Sequence, residues 1–157
     1  MTAPVTPLRI GIISDTHGLL RPEAVRELTG VDHILHAGDI GDDQILAALR
    51  QLAPVTAIRG NVDVSGACAA LPATEAVELG GCVFYLVHAI QDLDIQPPAA
   101  GVQAVVYGHS HRAEVKDNSG IIYLNPGSAG PRRFDLPITL AHAVVEGGAV
   151  RVRIVRL

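Results

Sequence analysis

A chain of 157 residues with a net charge of −4 and 3% aromatic residues can bury a core without staples, but carries no general attraction for nucleic acid and little on which to stack bases. Cys68 and Cys82 are its only cysteines and lack a Cys-x-x-Cys spacing, so no disulfide framework is expected, and without a secretory leader a reducing, cytoplasmic setting is. No apolar run approaches the roughly 20 residues of a membrane span, so neither a membrane nor a dedicated nucleic-acid surface is expected as a partner.

The sequence reads as one α/β domain over residues 1–157, with a short Pro-containing tail at 1–7. Ile10, Ile12 and Ile13 then form a β-branched, nearly continuous run, which suits a strand covered on both faces. Asp15 and His17 follow; on an extended backbone, positions two apart point to the same side, so a carboxylate and an imidazole would converge. Gly18 allows a sharp turn. At this point the plainer alternative, Asp15 as a helix cap and His17 as an ordinary loop histidine, stays open.

Arg21 to Thr29 has apolar residues at helical spacing and stops at Gly30, a helix with its stop signal. Val31 to Ala37 is β-like, and the turn Gly38 to Asp43 leads into a helix over Gln44 to Gln51 with Asp42 or Asp43 as its N-cap. Asp39 stands at a strand's C-terminal end, as Asp15 does, on the edge where α/β sheets place ligands. A strand over Val55 to Ile58 ends in Gly60-Asn61-Val62-Asp63, and Cys68 to Ala73 reads as small-residue loop. Glu75 to Leu79 and Cys82 to Val87 flank Gly80-Gly81, a hairpin signal, and the second strand runs into His88. Gln91 to Gly101 is a connection with one helical turn. Val102 to Tyr107 is a buried strand that stops at Gly108-His109-Ser110-His111, where two histidines again stand two apart. Ala113 to Lys116 and Ile121 to Leu124 form a hairpin leading to Asn125-Pro126-Gly127-Ser128, and Ile138 to Val145 with Ala149 to Val155 forms a last one, its end alternating between buried and solvated faces.

Five strand ends thus offer Asp15 and His17, Asp39, Asn61, His88, and His109 with His111. Oxygen and imidazole donors without thiolates suit divalent manganese, iron, cobalt, nickel or zinc. Seven ligands exceed one ion's needs; with Asp39 bridging, each of two ions receives four and keeps open positions. Two ions about 3.5 to 4 Å apart clamp the attacking and leaving oxygens of a phosphoryl displacement and acidify a bound water.

The ordered set Asp15-x-His17, Gly38-Asp39, Gly60-Asn61-x-Asp63, His88 and Gly108-His109-Ser110-His111 resembles the motifs of the calcineurin-like metallophosphoesterases. The short chain and Asn125-Pro126-Gly127-Ser128 resemble their small YfcE-like phosphodiesterase branch. The resemblance implies a four-layer αββα sandwich of two mixed β-sheets flanked by helices. It implies one ion on Asp15, His17, Asp39 and His111, and a second on Asp39, Asn61, His88 and His109. Manganese is the preferred ion, with zinc, nickel, cobalt or iron as alternatives. Asp39, Asn61 and His88 are the expected catalytic residues, and a metal-bridging hydroxide the expected nucleophile toward a small phosphate-ester substrate.

Two departures stand out. Many relatives carry a histidine after the Gly-Asn pair, placed to protonate the leaving oxygen, where this chain has Val62; the small branch often has His-Gly-His where this chain has His88-Ala89-Ile90. Asp63 is expected to orient a metal-bound group; His36 reads as a histidine making a single hydrogen bond, with orienting a metal-bound group as the alternative. Asn125 is expected to satisfy its turn or touch substrate, and Arg132 and Arg133 to bind a phosphate or lie solvated. His33 and His142 read as histidines making a single hydrogen bond. The alternative function is a non-catalytic, metal-binding interaction scaffold like the retromer subunit of this fold, and an exposed sheet edge or apolar helix faces leave room for a homo-oligomer.

Overall fold

A computed structural model describes residues 6–157, so most of the tail read over 1–7 lies outside the described residues. The β-branched run at the start becomes β1 (Leu8–Ile13), which pairs in parallel with β2 (His33–His36), itself parallel to β3 (Val55–Ala57). Crossovers α1 (Pro22–Leu28) and α2 (Asp43–Arg50) join them, and after the short α3 (Gly66–Ala69) the chain builds a second sheet. There β4 (Thr74–Leu79) and β5 (Cys82–Val87) make an antiparallel hairpin around Gly80-Gly81, β6 (Ala104–Val106) pairs in parallel with β5, and the hairpin β7 (Glu114–Asn118) and β8 (Ile121–Asn125) completes it. The chain then returns to the first sheet with β9 (Thr139–Glu146) and β10 (Ala149–Arg156). The orders are β10-β9-β1-β2-β3 and β4-β5-β6-β8-β7, two mixed sheets of five strands each.

Alternation sorts the apolar side chains into layers. Ile10 and Ile12 of β1 face the space between the sheets, where they meet Leu35, Ile58, Phe84, Leu86, Val106 and Leu124 in one buried cluster. Ile13 belongs instead to the layer under the helices, with Leu28, Ile34, Leu46 and Leu49. Gly11 lies under α1: a Cβ there would fall on the Leu28 side chain, so the missing side chain sets how closely the helix packs. The strand β10 alternates as expected, with Val150, Val152 and Ile154 half-buried against the core and Arg151 and Arg153 exposed.

Among the described residues, the second sheet's outer face, with Tyr85, Val87, Val105 and Tyr107, packs against the segment carrying Ile90, Leu93 and Ile95. Its one helical element is a 3-10 turn at Ile90–Asp92; Asp94 secures the segment by accepting from the Tyr85 hydroxyl at 2.7 Å. The fourth layer of the sandwich is therefore thin. Another difference from the sequence reading is α3, which begins at Gly66 and runs into the stretch read as loop. Its N-terminal N–H groups, those of Ala67 and Cys68, donate to Asp43 at 3.0 Å each, a cap supplied by another helix. Asp42 is the cap of α2, accepting from the Gln44 N–H at 2.8 Å. No helix among the described residues is long and apolar enough to cross a membrane.

Phe84 is fully buried where the two sheets meet. Phe84→Ala is expected to cost about 3 to 5 kcal/mol of stability, measured by urea unfolding; a loss under about 1 kcal/mol would contradict this packing.

Candidate metal centre

The loops that follow β1, β2, β3, β5 and β6 meet along one edge of the sandwich, and hydrogen bonds between their backbones lock them together. The N–H groups of Asp15, His17 and Gly18 donate to the carbonyls of Gly38, Asp39 and Ile40 at 3.0, 2.9 and 2.8 Å, and Gly108 N–H donates to His88 O at 2.8 Å. Ser128 Oγ donates to the Asp15 carbonyl at 2.9 Å. Within this mesh Asp15, His17, Asp39, His109 and His111 all have left-handed backbones, with φ of 55°, 44°, 56°, 71° and 63°. The expectation that the paired donors converge on an extended chain is thus corrected: they converge because the chain kinks at each of them. Such conformations cost about 1 to 3 kcal/mol apiece and persist where the surroundings over-determine them, as the crossing hydrogen bonds do here.

Each carboxylate is held by one oxygen and presents the other. Asp15 Oδ2 accepts from Ser14 Oγ at 2.6 Å and from the His109 N–H at 3.1 Å, while Asp39 Oδ1 accepts from the Val62 N–H at 3.1 Å. The free oxygens face the imidazoles. His17 Nε2 lies 3.6 Å from Asp15 Oδ1 and 3.4 Å from Asp39 Oδ2, His88 Nε2 lies 3.9 and 3.2 Å from the same two atoms, and His111 Nε2 lies 3.4 Å from Asp15 Oδ1. His88 Nδ1 is 2.7 Å from the Ala37 carbonyl and must donate to it, which turns Nε2 toward the carboxylates. Burial alone would raise the Asp39 pKa, but the His88 hydrogen bond, the Val62 N–H and nearby imidazoles outweigh it and hold the group down at about 2. Asp15 is likewise lowered against burial, by His17 and Ser14. Burial disfavours a charged His88 ring, yet Asp39 and the Ala37 carbonyl raise its pKa.

Donor atoms of Asp15, His17 and His111 lie within 4.8 Å of one another, as do those of Asp39, His88 and His109. Asp15 Oδ1, His17 Nε2, His88 Nε2 and both ring nitrogens of His111 are buried without a hydrogen-bond partner. Buried polar atoms are ordinarily satisfied, so orphaned atoms converging from oxygen and nitrogen donors fit divalent cations.

The other expected residues fall in different places. Asn61 is exposed on the loop after β3 and lines a cavity together with His88. Asp63 accepts from the N–H groups of Ile40, Gly41 and Gly60 at 3.0, 3.0 and 2.8 Å, tying the Asp39 loop to the Asn61 loop. Asn125 donates to the Gly108 carbonyl at 3.1 Å and accepts from the Gly127 N–H at 2.9 Å, bracing the turn that presents His109 rather than facing solvent. Arg133 is exposed but near enough for its charge to add to burial in lowering the His111 pKa. Arg132 is exposed and lines a separate cavity with Asp135 and Arg156. His33 makes the one hydrogen bond expected of it, to Thr56 Oγ1 at 2.8 Å, whereas His142 makes two, donating from Nε2 to the Glu27 carbonyl at 2.9 Å and accepting at Nδ1 from Arg153 at 3.2 Å.

Sequence reasoning missed Ser14, Thr16 and Ser128, whose hydroxyls fix the Asp15 segment. It also missed why two glycines stand where they do. A Cβ at Gly60 would fall on the Asp39 carboxylate, and one at Gly108 on Ser14 Oγ and the Asp15 carboxylate. The Gly-Asn and Gly-His pairs therefore leave room for carboxylates arriving from other strands.

His36 completes the scaffold. Its Nδ1 accepts from the Gly38 N–H at 3.1 Å, so its proton sits on Nε2 and is donated to Thr16 Oγ1 at 3.1 Å. Thr16 in turn donates to the Ile40 carbonyl at 2.9 Å. The relay runs through a neutral ring, and complete burial lowers the His36 pKa from 6.5 to about 4.

A family model described as the calcineurin-like phosphoesterase superfamily domain matches residues 8–148. A probable metallophosphoesterase of Methanocaldococcus jannaschii is 35% identical over 136 residues, covering 76% of this chain and 67% of that protein. Among solved structures, a novel archaeal phosphodiesterase superposes with a TM-score of 0.78 at 22% identity, covering 94% of this chain and 100% of that one. Vps29 of Entamoeba histolytica, in complex with zinc, superposes with a TM-score of 0.69 at 22% identity, covering 95% and 99%.

Two outcomes follow from the scaffold. Because the folded pKa of His36 is depressed, the native ring stays neutral while the unfolded chain takes up a proton as pH falls below 6.5, so stability is lost from 6.5 down to about 4, on the order of 3 kcal/mol in all. In chelator-treated protein, His36→Gln should flatten the fall in urea-unfolding stability across that window, and an unchanged slope would contradict the neutral relay. Asp63→Ala should weaken divalent-metal binding about 10- to 100-fold by calorimetric titration, through release of the two loops.

Proposed function

The chain belongs to the calcineurin-like phosphoesterase superfamily, and from that membership we infer a dinuclear, metal-dependent phosphodiesterase that hydrolyses small phosphate esters with good leaving groups. The observation that carries the reading is the pair of three-residue donor groups with buried, unpartnered atoms turned inward. In this reading Asp15, His17, Asp39 and His111 hold one ion, and Asp39, Asn61, His88 and His109 the other. Asp39 is suited to bridging, because its one free oxygen lies 3.4 Å from His17 Nε2 and 3.2 Å from His88 Nε2. Manganese is the proposed ion; zinc, present in the Entamoeba Vps29 structure, is the first alternative. Bound in pairs, such ions supply an acidified water as nucleophile and neutralise charge on the phosphoryl oxygens.

The chain's own residues have more limited tasks. Ser14 and the His109 N–H aim the Asp15 carboxylate, and the Ala37 carbonyl fixes the tautomer of His88. Hydrolysis consumes one water and releases a phosphomonoester and an alcohol, whose oxygen needs a proton. Val62 supplies none: its N–H is committed to Asp39 and its side chain is exposed. The leaving oxygen therefore departs as a stabilised anion or takes its proton from water. Cys68 and Cys82 are both buried free thiols, which supports placing the protein in a reducing cytoplasm.

A direct comparison checks this. Chelator-treated protein supplied with manganese should hydrolyse an aryl phosphodiester, and do so at least about 100-fold faster than an alkyl monoester, since a missing general acid is typically worth that factor. Asp39→Ala should reduce turnover to background. Comparable rates on both esters would remove the leaving-group argument. A folded, metal-loaded chain with no turnover in manganese, zinc, nickel or cobalt would favour the metal-binding interaction scaffold.

A further inference from the structure

On the outer face of the second sheet, a cavity of about 440 Å³ opens beside the metal centre, and His109 belongs to both. Its inner walls are Tyr107 and Tyr123 from the sheet and Ile90 from the covering segment, with Arg112, Gln91 and Asn118 among the polar residues at its margin. The volume falls within the range of small-molecule sites, about 300 to 1,000 Å³, and an apolar lining with a few polar groups is their usual chemistry. The chain has three tyrosines, two phenylalanines and no tryptophan, and two of those five aromatic residues line this cavity. The thin fourth layer makes the cavity available: a single 3-10 turn leaves uncovered the part of the sheet that a longer helix would seal.

Inside, the polar groups are mostly committed to one another. Tyr107 donates its hydroxyl to Glu114 Oε2 at 3.1 Å, and Lys116 Nζ lies 2.7 Å from Glu114 Oε1. The carboxylate is thereby neutralised within its own wall, and Arg112 is the further cation on the lining. A cavity that starts at a candidate metal ligand, is walled by tyrosine and isoleucine and bears an arginine suits a flat apolar group attached to an anion.

We propose that this cavity is the substituent subsite of the phosphodiesterase, and that it receives an aromatic ring, either the aryl group of a phenol ester or the base of a nucleoside ester, carried by the oxygen bonded to the phosphorus at the metal centre. Tyr123 and Ile90 contact the ring, and Arg112 lies on the same lining as a counter-charge to the phosphate. Tyr123 and Arg112 are specificity residues here; neither acts on the reacting bond. The proposal rests on the phosphodiesterase reading for its phosphate, and on the cavity alone for its ring.

The test separates the two. With manganese-loaded protein and methyl 4-nitrophenyl phosphate as reporter, diphenyl phosphate should compete at least about tenfold more strongly than diethyl phosphate, the scale of one aromatic stacking contact. Tyr123→Ala should remove most of that advantage and Tyr123→Phe should keep it. Asn118→Trp, a substitution at an exposed position on the cavity margin at the end of β7, should also remove it by filling the cavity, so the test survives if Tyr123→Ala does not fold. Dithymidine monophosphate competing better than diphenyl phosphate assigns the ring to a nucleobase; the reverse assigns it to a simple aryl group. Equal competition by the diphenyl and diethyl esters, or an advantage untouched by Tyr123→Ala and Asn118→Trp, overturns the subsite. Absence of reporter turnover in manganese, zinc, nickel and cobalt alike overturns the phosphodiesterase reading instead. The cavity is then judged by amide chemical shifts in metal-free protein, where diphenyl phosphate should move Ile90, Gln91 and Tyr123 and diethyl phosphate should not; no movement overturns it.

Discussion

Two carboxylates, those of Asp15 and Asp39, are buried within reach of the same imidazole nitrogens, and much of the chain serves to keep them there. His17 Nε2 and His88 Nε2 each lie within 4 Å of a free oxygen from both. Burying charge is expensive unless it is paired, and the imidazoles alone leave five inward-turned atoms without partners. The arrangement gains from anything positive that occupies its centre, and this is the physical basis of a preformed cation site. Its cost is spread through the scaffold: left-handed backbone at five donor residues, glycines at positions 60 and 108 where a Cβ would strike a carboxylate, and hydrogen bonds that tie the loops together, backbone to backbone in part and otherwise through the Asp63 and Asp15 carboxylates. Asp63 and the His36 relay belong to this expenditure, since neither meets the centre yet both hold the segments that do.

The fold was largely readable because its signals are local. Continuous β-branched runs, hairpins at Gly80-Gly81 and at residues 117–120, and the helical spacings before Gly30 and after Asp42 all became the elements expected, shifted by a residue or two. The candidate donors were equally legible as residue types at strand ends. Their convergence was not, because φ at Asp15 or His109 is set by partners far along the chain: the Gly38 carbonyl holds the Asp15 N–H, and the Asp15 carboxylate holds the His109 N–H. The same reason hid α3, whose cap is Asp43 from the preceding helix. It also hid Ser14 and Ser128, small hydroxyl residues whose meaning depends wholly on what they face.

The two places where the motif set is incomplete shape what the site is able to do. Val62 contributes a backbone N–H to Asp39 and nothing to a departing oxygen, so under the proposed reading selectivity for the ester would fall to the leaving group and to surfaces beyond the metal centre. Ala89 and Ile90 follow His88, where the small branch often continues with glycine and histidine. Ala89 is buried, while Ile90 starts the 3-10 turn and lines the cavity beside His109. A polar, substrate-handling position has in this way become part of an apolar wall. Under the proposed reading the exchange is coherent with a chain that has no proton donor at Val62: an aryl ester would carry a substituent able to leave without one, and binding energy from an aryl or nucleoside ring would be available to hold the phosphate against the metal centre.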